Sequence, residues 1–354
     1  MDALNRRAID IAARVLTWFD RHGRKHLPWQ QDISPYRVWV SEIMLQQTQV
    51  QTVISYYQRF MQALPTVQAL AAASEDEVLH LWTGLGYYSR ARNLQRTAQI
   101  ICERWRGEFP DDVEQLSELP GIGRSTAGAI VAIAFRQRAA ILDGNVKRVL
   151  ARFHAVAGYP GETAVAKALW DFAEAHTPEQ RIADYTQAMM DLGATLCTRT
   201  KPACPLCPLA DDCAAHRLGS VAQFPGKKPK KILPVKSAQM LIVSDRDNQI
   251  LLEKRPSAGG IWAGLWVFPQ IDPALDPVAY CADQLRLEVD LLERWHDYRH
   301  TFSHYHFDIA PVRLSLRRNT SAIMEPSRHL WYDPQAPVAI GLAAPVIKLL
   351  ANLR

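Results

Sequence analysis

The sequence predicts two regions of different fold class, an all-α region over the first 220 residues and an α+β region beyond it. Apolar residues recur at helical spacing through the first region, and no segment there alternates like a strand. A proline-rich basic segment follows at 220–234, and segments with strand character appear after it. At 354 residues, the chain is long enough for about two or three globular domains.

The charge and hydropathy of the chain exclude several classes of protein. The net charge of +5 is a mild excess that permits nucleic-acid binding without requiring it. No run reaches the roughly 18 apolar residues of a membrane span, and charges interrupt the N-terminus where a signal peptide needs an apolar core. We therefore expect a cytoplasmic protein with no membrane partner. We also expect a monomer, because no unexplained apolar stripe requires a partner.

The helices of the first region are predicted from periodicity and from residues that start and stop helices. An apolar stripe over 5–20 predicts an N-terminal helix, and a basic, aromatic loop follows at 24–29. Ser34 and Pro35 then open a second helix, because serine caps a helix and proline fits its first position. Further helices are predicted at 50–64, 74–81, 90–105, 111–119 and 125–135.

A turn between two helices, Leu-Pro-Gly-Ile-Gly at 119–123, organises this region. Pro120 and Gly121 end one helix. Gly123 is expected to permit a tight turn, at which the backbone comes close to another group. The next helix begins near Arg124, so its free N–H groups form a site for an anion such as phosphate. An ordinary helix-turn-helix connection has the same residues, so the turn alone is a weak indication.

Two carboxylates are candidates for chemistry. Glu42 follows the apolar residues Val38 and Trp39 on one helix face, so burial is expected to raise its pKa. The alternative is a glutamate at the rim of the core, paired with an arginine. Asp143 lies where another helix begins, and the helix dipole is expected to keep this capping carboxylate ionised. Cleavage of a glycosidic bond requires such a pair, because one group protonates the leaving group while the other faces an oxocarbenium-like centre.

Four of the six cysteines are separated by six, two and five residues, at Cys197, Cys204, Cys207 and Cys213. In a reducing cytosol this grouping indicates a metal or iron–sulfur site rather than disulfides, and the spacing alone leaves zinc open. Arg199 and Lys201 would present positive charge from the same loop.

The region after the linker has the pattern of an α+β domain. Its predicted elements are strands at 240–243 and 250–252 around a turn at 245–248, a helix at 277–287, an extended run at 298–309 and a last helix at 344–353. In a single strand, Phe302, His304, His306 and Asp308 would share one face, with Ser303 and Tyr305 on the other. The two histidines and the aspartate are possible metal ligands, but a straight strand spreads them too far apart for one metal ion.

Together these features resemble the helix-hairpin-helix DNA glycosylases, and specifically the adenine DNA glycosylases of the MutY type. The hairpin and the cysteine spacing are shared with endonuclease III relatives, whereas the segment around Glu42 is more specific to adenine glycosylases. The resemblance covers nearly the whole chain in order. The segments that carry it are 40–50, 119–123, 142–146, the four cysteines, and 299–304, which resembles the segment that reads 8-oxoguanine.

The resemblance implies a domain organisation and a cofactor. An all-α catalytic region is implied for 1–219, with a six-helix domain at about 29–135 and an iron–sulfur module formed by the N-terminal helix and 136–219. One 4Fe–4S cluster would be held by the four cysteines. After the linker, 235–354 resembles a Nudix fold, but the Arg-Glu-x-x-Glu-Glu run of the Nudix box is absent. That domain is therefore expected to recognise 8-oxoguanine without hydrolysing a nucleotide.

The resemblance also implies roles for single residues. Glu42 would protonate N7 of adenine and Asp143 would stabilise an oxocarbenium ion, with Asn145 holding that site. The implied adenine pocket consists of Arg24, Trp29, Gln187 and Met190, and Asp191 is expected to orient it. Implied DNA contacts are Gln47, Thr48, Tyr87, Gly121, Gly123 and Ser125, of which Gln47 and Tyr87 enter the duplex. Implied 8-oxoguanine contacts are Phe302, Ser303 and His304.

The resemblance implies a nucleoid-associated repair enzyme of bacterial type that removes adenine opposite 8-oxoguanine or guanine in duplex DNA. Ser125 stands where bifunctional relatives have a lysine, and a serine cannot form an imine, so a monofunctional glycosylase is expected. Base extrusion is expected because the bond is inaccessible inside the stack. Three alternatives remain: a lyase acting on oxidised pyrimidines, a DNA-binding protein without catalysis, and a nucleotide pyrophosphohydrolase.

Overall fold

The computed structural model describes residues 2–229, 232–319 and 328–353. Two compact units are present: Met1–Ala72 with Asn93–Pro229, and Ala73–Arg92 with Lys230–Arg354. The first consists of helices and turns and the second contains a β-sheet, so the predicted order of an all-α region before an α+β region is confirmed. Lys230 and Lys231 of the predicted linker lie outside the described residues.

Twelve α-helices are described between residues 2 and 229. They are α1 (Asp2–His22), α2 (Pro35–Leu45), α3 (Val50–Ala63), α4 (Val67–Ala72), α5 (Glu75–Trp82), α6 (Ser89–Trp105), α7 (Val113–Ser117), α8 (Arg124–Ala134), α9 (Gly144–Phe153), α10 (Thr163–His176), α11 (Ile182–Thr195) and α12 (Ala214–Arg217). Within the described ranges, no helix is long and apolar enough to cross a membrane.

Local signals start the helices that carry the site. The Ser34 hydroxyl accepts a hydrogen bond from the main-chain N–H of Arg37 (3.3 Å), and Pro35 occupies the first position of α2, as predicted. The Asp143 carboxylate likewise caps α9. Both caps satisfy N–H groups that have no partner inside the helix.

Helix α8 lies at the centre of the first unit and packs against α2, α7 and α11. Ala127, Ala129 and Ile130 are fully buried in it. A Cβ atom at Gly128 would clash with the main-chain carbonyl of Ala140, so glycine is required for this close approach. The burial of α8 fixes the hairpin at its N-terminus relative to Glu42 on α2 and Gln187 on α11.

The second unit contains an eight-stranded sheet and, besides α5, two further α-helices among its described residues. The strands are β1 (Val235–Ser244), β2 (Ile250–Lys254), β3 (Trp266–Val267), β4 (Gln270–Ile271), β5 (Leu287–Arg294), β6 (Tyr298–Thr301), β7 (His306–Asn319) and β8 (His329–Tyr332). The main path through the sheet is β3-β2-β1-β7-β5, with β4 on β1, β6 on β7 and β8 on β2. The helices are α13 (Pro277–Tyr280), which continues as a π-helical turn to Leu285, and α14 (Ala344–Ala351).

Strands β1 and β7 form the centre of this sheet as a parallel pair, with Val235 opposite His306 and Ser244 opposite Ser315. The other strand pairs are antiparallel. Leu241, Val312 and Leu314 are fully buried along the central pair. This core supports the exposed hairpin at one end of β7.

The prediction of one continuous strand over 298–309 is wrong. The chain reverses between β6 and β7, and the main-chain N–H of Phe302 donates to the carbonyl of Tyr305 (2.9 Å). Ser303 and His304 therefore lie at the exposed tip of a hairpin rather than on opposite strand faces. The segment has no glycine or proline to mark a turn. Aromatic packing accompanies it instead, since the Phe302 and Tyr305 rings stack at 4.8 Å.

Candidate active site

Glu42 lies on α2 in a largely desolvated environment. Burial, with a smaller contribution from the charge of Asp143, raises the pKa of this carboxyl to about 8. The predicted direction is confirmed. The charge that acts on Glu42 belongs to another acid, which contradicts the alternative of a rim glutamate paired with an arginine. Because the charge of Asp143 reaches Glu42, the two carboxyls belong to one site.

Asp143 is held by groups at the start of α9. One carboxylate oxygen accepts from the main-chain N–H of Val146 (2.7 Å), and the other accepts from the Asn145 side-chain amide (3.2 Å). Burial nevertheless raises the pKa of Asp143, while these hydrogen bonds and the charge of Arg148 oppose the rise. The groups at the helix start act toward the ionised form, as expected, but burial of Asp143 was not anticipated from the sequence and outweighs them. A positive charge arriving beside Asp143 would favour its ionised form.

Arg148 joins this site to the cysteine loop and was not identified from the sequence. Its guanidinium donates to the Asn145 side-chain oxygen (2.8 Å) and to the carbonyls of Gly193 (2.7 Å) and Cys197 (2.7 Å). Asn145 in turn donates to Asp143. The position of Arg148 three residues after Asn145 on one helix could have indicated their contact. The two carbonyl partners are distant in sequence and gave no such indication.

Asp191 brings together two residues of the implied adenine pocket. Its fully buried carboxylate accepts from the Arg24 main-chain N–H (2.7 Å), from the Arg24 guanidinium (2.6 and 2.9 Å) and from the Gln187 amide (2.9 Å). The expectation that Asp191 orients Arg24 and Gln187 agrees with this geometry. Trp29 is buried edge-on against Tyr57, with ring centroids 5.5 Å apart, and Met190 is half-buried on α11.

Gly121, and not Gly123, supplies the tight turn of the hairpin. Gly121 has φ +79°, and a Cβ atom there would lie 2.9 Å from the Asn93 Cβ atom. Gly123 has ordinary extended backbone as the N-cap of α8, with open space beside its Cα atom. The predicted tight turn at Gly123 is therefore wrong. The open space leaves the start of α8 accessible to an external group such as a phosphate.

Ser125, in the first turn of α8, has a structural partner in the segment before α9. Its hydroxyl accepts a hydrogen bond from the main-chain N–H of Leu142 (3.0 Å), immediately before Asp143. This position thus supports the start of α9 and carries no amine.

Two implied DNA contacts have unusual backbone conformations. Gln47 has φ +57° beside half-buried Thr48, and Tyr87 has φ +49° in a loop of the second unit. Both side chains are exposed, and Tyr87 is 49% exposed. Non-glycine residues adopt this left-handed conformation at a cost and are concentrated at functional sites.

The four clustered cysteines line one cavity with largely apolar walls. The buried Arg152 guanidinium donates to the Cys197 sulfur (3.3 Å) and to the Thr198 carbonyl (2.7 Å). Burial raises the pKa of Cys207 to about 11, so thiolates in this cavity require a bound cation. Within the described ranges, no group of three or more His, Cys, Asp or Glu residues has the arrangement of a metal-ion site. The chemistry of the donor set, four thiols around one apolar cavity, nevertheless fits a thiolate-ligated iron–sulfur group, even though the thiols are not arranged around a single ion.

The hairpin tip of the second unit borders an open cleft of about 710 Å³. Phe302, Ser303 and His304 line this cleft together with Tyr87, so the structure brings these four implied contacts into one place. The Phe302 ring packs 5.4 Å from Trp262. The volume falls in the range of small-ligand sites, and the lining combines aromatic with polar groups.

Replacement of Glu42 by glutamine is expected to stabilise the protein at high pH. A raised pKa means that the folded wild type loses stability as pH rises from the ordinary value of 4.5 to about 8, because the unfolded chain releases the proton first. Thermal melts should show a Glu42→Gln advantage of roughly 1–3 kcal/mol near pH 8, after allowance for partial solvent contact, and almost none at low pH.

The control for this experiment is Glu114→Gln, since Glu114 is exposed on α7. It should give no gain that depends on pH. A Glu42→Gln difference that stays constant with pH would mean that Glu42 has the same pKa in the folded and the unfolded chain.

Comparisons with known families match both regions of the chain. A family described as HhH-GPD superfamily base excision DNA repair protein matches residues 40–175. A family described as NUDIX domain matches residues 239–352. The predicted helix-hairpin-helix region and Nudix-like domain are therefore confirmed.

Curated relatives resemble nearly the whole chain. An adenine DNA glycosylase of Buchnera aphidicola subsp. Acyrthosiphon pisum is 38% identical over 340 residues, covering 96% of each chain. An adenine DNA glycosylase of Homo sapiens is 36% identical, over 90% of this chain and 69% of that protein. Among solved structures, a thermostable thymine-DNA glycosylase superposes with a TM-score of 0.54 at 26% identity, covering 61% of this chain and all of that one. The chain belongs to the adenine DNA glycosylases, hydrolases of N-glycosyl bonds that combine an HhH-GPD region with a Nudix domain.

Proposed function

We propose that this enzyme hydrolyses the N-glycosidic bond of adenine mispaired with 8-oxoguanine or guanine in duplex DNA. The observation that carries the proposal is the carboxyl of Glu42, whose pKa is raised to about 8 beside Asp143. A carboxyl that holds a proton at neutral pH acts as a general acid, and a second carboxylate nearby serves a developing cation.

Glu42 donates its proton to N7 of adenine as the bond to the sugar breaks. Protonation converts the base into a better leaving group, and Glu42 becomes a carboxylate. The pKa of about 8 suits this role, since the group is mostly protonated at neutral pH yet releases the proton readily. Water then adds to the sugar and gives up a proton, which restores the Glu42 carboxyl, so the products are free adenine and an abasic site.

Asp143 stabilises the positive charge that develops on the sugar. Its carboxylate is fixed by the Val146 N–H and by Asn145, so little reorganisation is needed when the charge appears. The oxocarbenium ion favours the ionised form of Asp143 and offsets the effect of burial on its pKa. Arg148 positions Asn145 for this purpose.

The adenine must leave the stack before it reaches Glu42. Arg24 and Gln187, both held by Asp191, provide polar contacts for the extruded base, and Trp29 and Met190 provide apolar walls. Gln47 and Tyr87 enter the duplex from exposed loop tips, with Thr48 beside Gln47. Gly121 and Gly123 allow the hairpin at the start of α8 to approach a backbone phosphate.

The reaction is monofunctional. Ser125 occupies the position of the lysine that forms an imine in bifunctional relatives, and its hydroxyl binds the Leu142 N–H. No amine at this position is available to attack the sugar, so strand cleavage by the enzyme itself is not expected.

Cys197, Cys204, Cys207 and Cys213 hold a 4Fe–4S cluster. When bound, this cluster supplies the cationic centre that keeps four buried thiolates ionised and cross-links their loop. Arg152 donates to Cys197, and Arg148 binds the carbonyl of the same residue. Family membership favours the cluster over zinc, which has the same ligand preference.

Analysis of the purified protein for iron, acid-labile sulfide and zinc tests this cofactor. We expect iron and sulfide in equal amounts, and their loss in Cys204→Ser. Cys102→Ser is the matched control, because Cys102 lies on α6 outside the cavity, and it should retain both. Stoichiometric zinc without iron would contradict the proposal.

The Nudix domain recognises the base opposite the adenine. Ser303 both donates and accepts hydrogen bonds, which suits the N7–H and O8 that distinguish 8-oxoguanine from guanine. Phe302 and His304 flank it at the same cleft. The functional regions of the chain are 1–219, 220–234 and 235–354, although residues 73–92 belong to the second compact unit.

Single-turnover base release from a duplex with one adenine opposite 8-oxoguanine, with and without alkali, tests the reaction. Wild type should give breaks only after alkali. Glu42→Gln should release base about 10²–10⁴-fold more slowly with duplex affinity retained, because a general acid is lost. Glu114→Gln should resemble wild type.

Each other outcome selects an alternative. Breaks without alkali would indicate a lyase with an unidentified amine. Full activity of Glu42→Gln would place the acid elsewhere. Duplex binding with no base release by a cluster-containing wild type would indicate a DNA-binding protein without catalysis.

A further inference from the structure

Helix α5 connects the loop of Tyr87 to the Nudix domain, and Asp76 lies at this contact. We propose that Asp76 is a specificity-determining positioning residue, which fixes Tyr87 relative to Ser303 and so sets the preference for 8-oxoguanine over guanine. This inference rests on the proposed function and extends it to a residue remote from the reacting atoms. Asp76, Tyr87 and Ser303 all lie in one compact unit, Ala73–Arg92 with Lys230–Arg354.

Asp76 makes two bonds to the Nudix domain through its two carboxylate oxygens. One oxygen accepts from the Lys254 ammonium (2.7 Å), and the other accepts from the Trp266 indole N–H (3.1 Å). The ammonium also lies 5.7 Å from the Trp266 ring, and the indole is buried. Both partners of the ion pair are partly shielded, at 25% and 28% exposure, so the contact is stronger than an exposed pair.

Two glycines allow α5 to lie close to the domain. A Cβ atom at Gly341 would lie 2.5 Å from the Leu79 Cβ atom, and one at Gly264 would clash with the Glu75 carboxylate. Gly264 also has φ +78°, which favours glycine. The Ser257 hydroxyl donates to Glu75 at 2.9 Å. Because the backbone at these two glycines lies directly against α5, the helix has little freedom to shift while Asp76 is bound by Lys254 and Trp266.

The loop that follows α5 is fixed to the helix and to the domain. The Trp82 indole donates to the carbonyl of Gly86 (3.2 Å), and the Arg90 guanidinium donates to the same carbonyl (3.1 Å). The Tyr88 hydroxyl donates to the Leu342 carbonyl (3.2 Å). Tyr87 lies between these anchors, so its position follows from that of α5.

Tyr87 and Ser303 line the same cleft of about 710 Å³. A residue that enters the duplex and a residue that reads the lesion therefore have a fixed separation, set by the contact of α5 with the domain. Asp76 itself does not line this cleft. Its loss should alter the separation without removing any group that contacts DNA.

The experiment compares single-turnover rates of adenine release opposite 8-oxoguanine and opposite guanine, using the full-length holoenzyme. The ratio of the two rates measures the preference. Asp76→Ala should lower the ratio roughly tenfold, the effect of losing a charge-assisted hydrogen bond that orders the site. Asp76→Asn, which can still accept from Trp266, should lower it less.

Glu77→Ala is the matched control, because it removes the same charge from an exposed position on the same helix. It should leave both rates unchanged. Lys254→Ala provides a second disruption of the contact, should Asp76→Ala fold poorly, and is expected to lower the ratio as well. The exchange Asp76→Lys with Lys254→Asp should restore part of the preference.

Combination with Ser303→Ala separates positioning from general destabilisation. If Asp76 acts through the cleft, Asp76→Ala should reduce the ratio little further once Ser303 is absent. An equal loss of both rates, with the ratio unchanged, would overturn the inference. If wild type shows no preference, or Ser303→Ala keeps the full preference, the proposed recognition by Ser303 is at fault instead.

Discussion

The structure depends on the placement of two carboxylates, Glu42 and Asp143, in one poorly solvated site. Burial raises the cost of ionising both carboxyls, and the charge of Asp143 adds to that cost at Glu42, so the pair destabilises the fold at high pH. Such a site persists because the surrounding helices fix it. The buried helix α8 supports α2, which carries Glu42, and the hydroxyl of Ser125 supports the segment before Asp143.

The same region connects the acid site to the cysteine loop. Cys197 offers its carbonyl to Arg148, Arg148 donates to Asn145, and Asn145 donates to Asp143. A displacement of the loop would therefore reach the carboxylate through three hydrogen bonds. A group bound by the four cysteines would order the loop whose Cys197 carbonyl holds Arg148.

Local signals in the sequence predicted where the helices begin. Features that depend on tertiary contacts could not be predicted in this way. Ser34 and Asp143 cap helices as expected, because capping depends on neighbouring residues. The pKa of Asp143 also depends on its burial, which neighbouring residues in the sequence do not reveal. The turn at Ser303 depends on aromatic packing without glycine or proline. The association of α5 with the Nudix domain rests on pairs nearly 180 residues apart, such as Asp76 with Lys254.

Protonation of Glu42 at neutral pH underlies the proposed chemistry, and the pKa of this carboxyl can be measured directly. The carboxyl signal of Glu42, assigned by its disappearance in Glu42→Gln, can be followed through a pH titration of the DNA-free enzyme by carbon-13 NMR. We expect a midpoint near 8, which falls in Asp143→Asn because a neighbouring negative charge is removed. A midpoint near the ordinary value of 4.5, unchanged in Asp143→Asn, would contradict it.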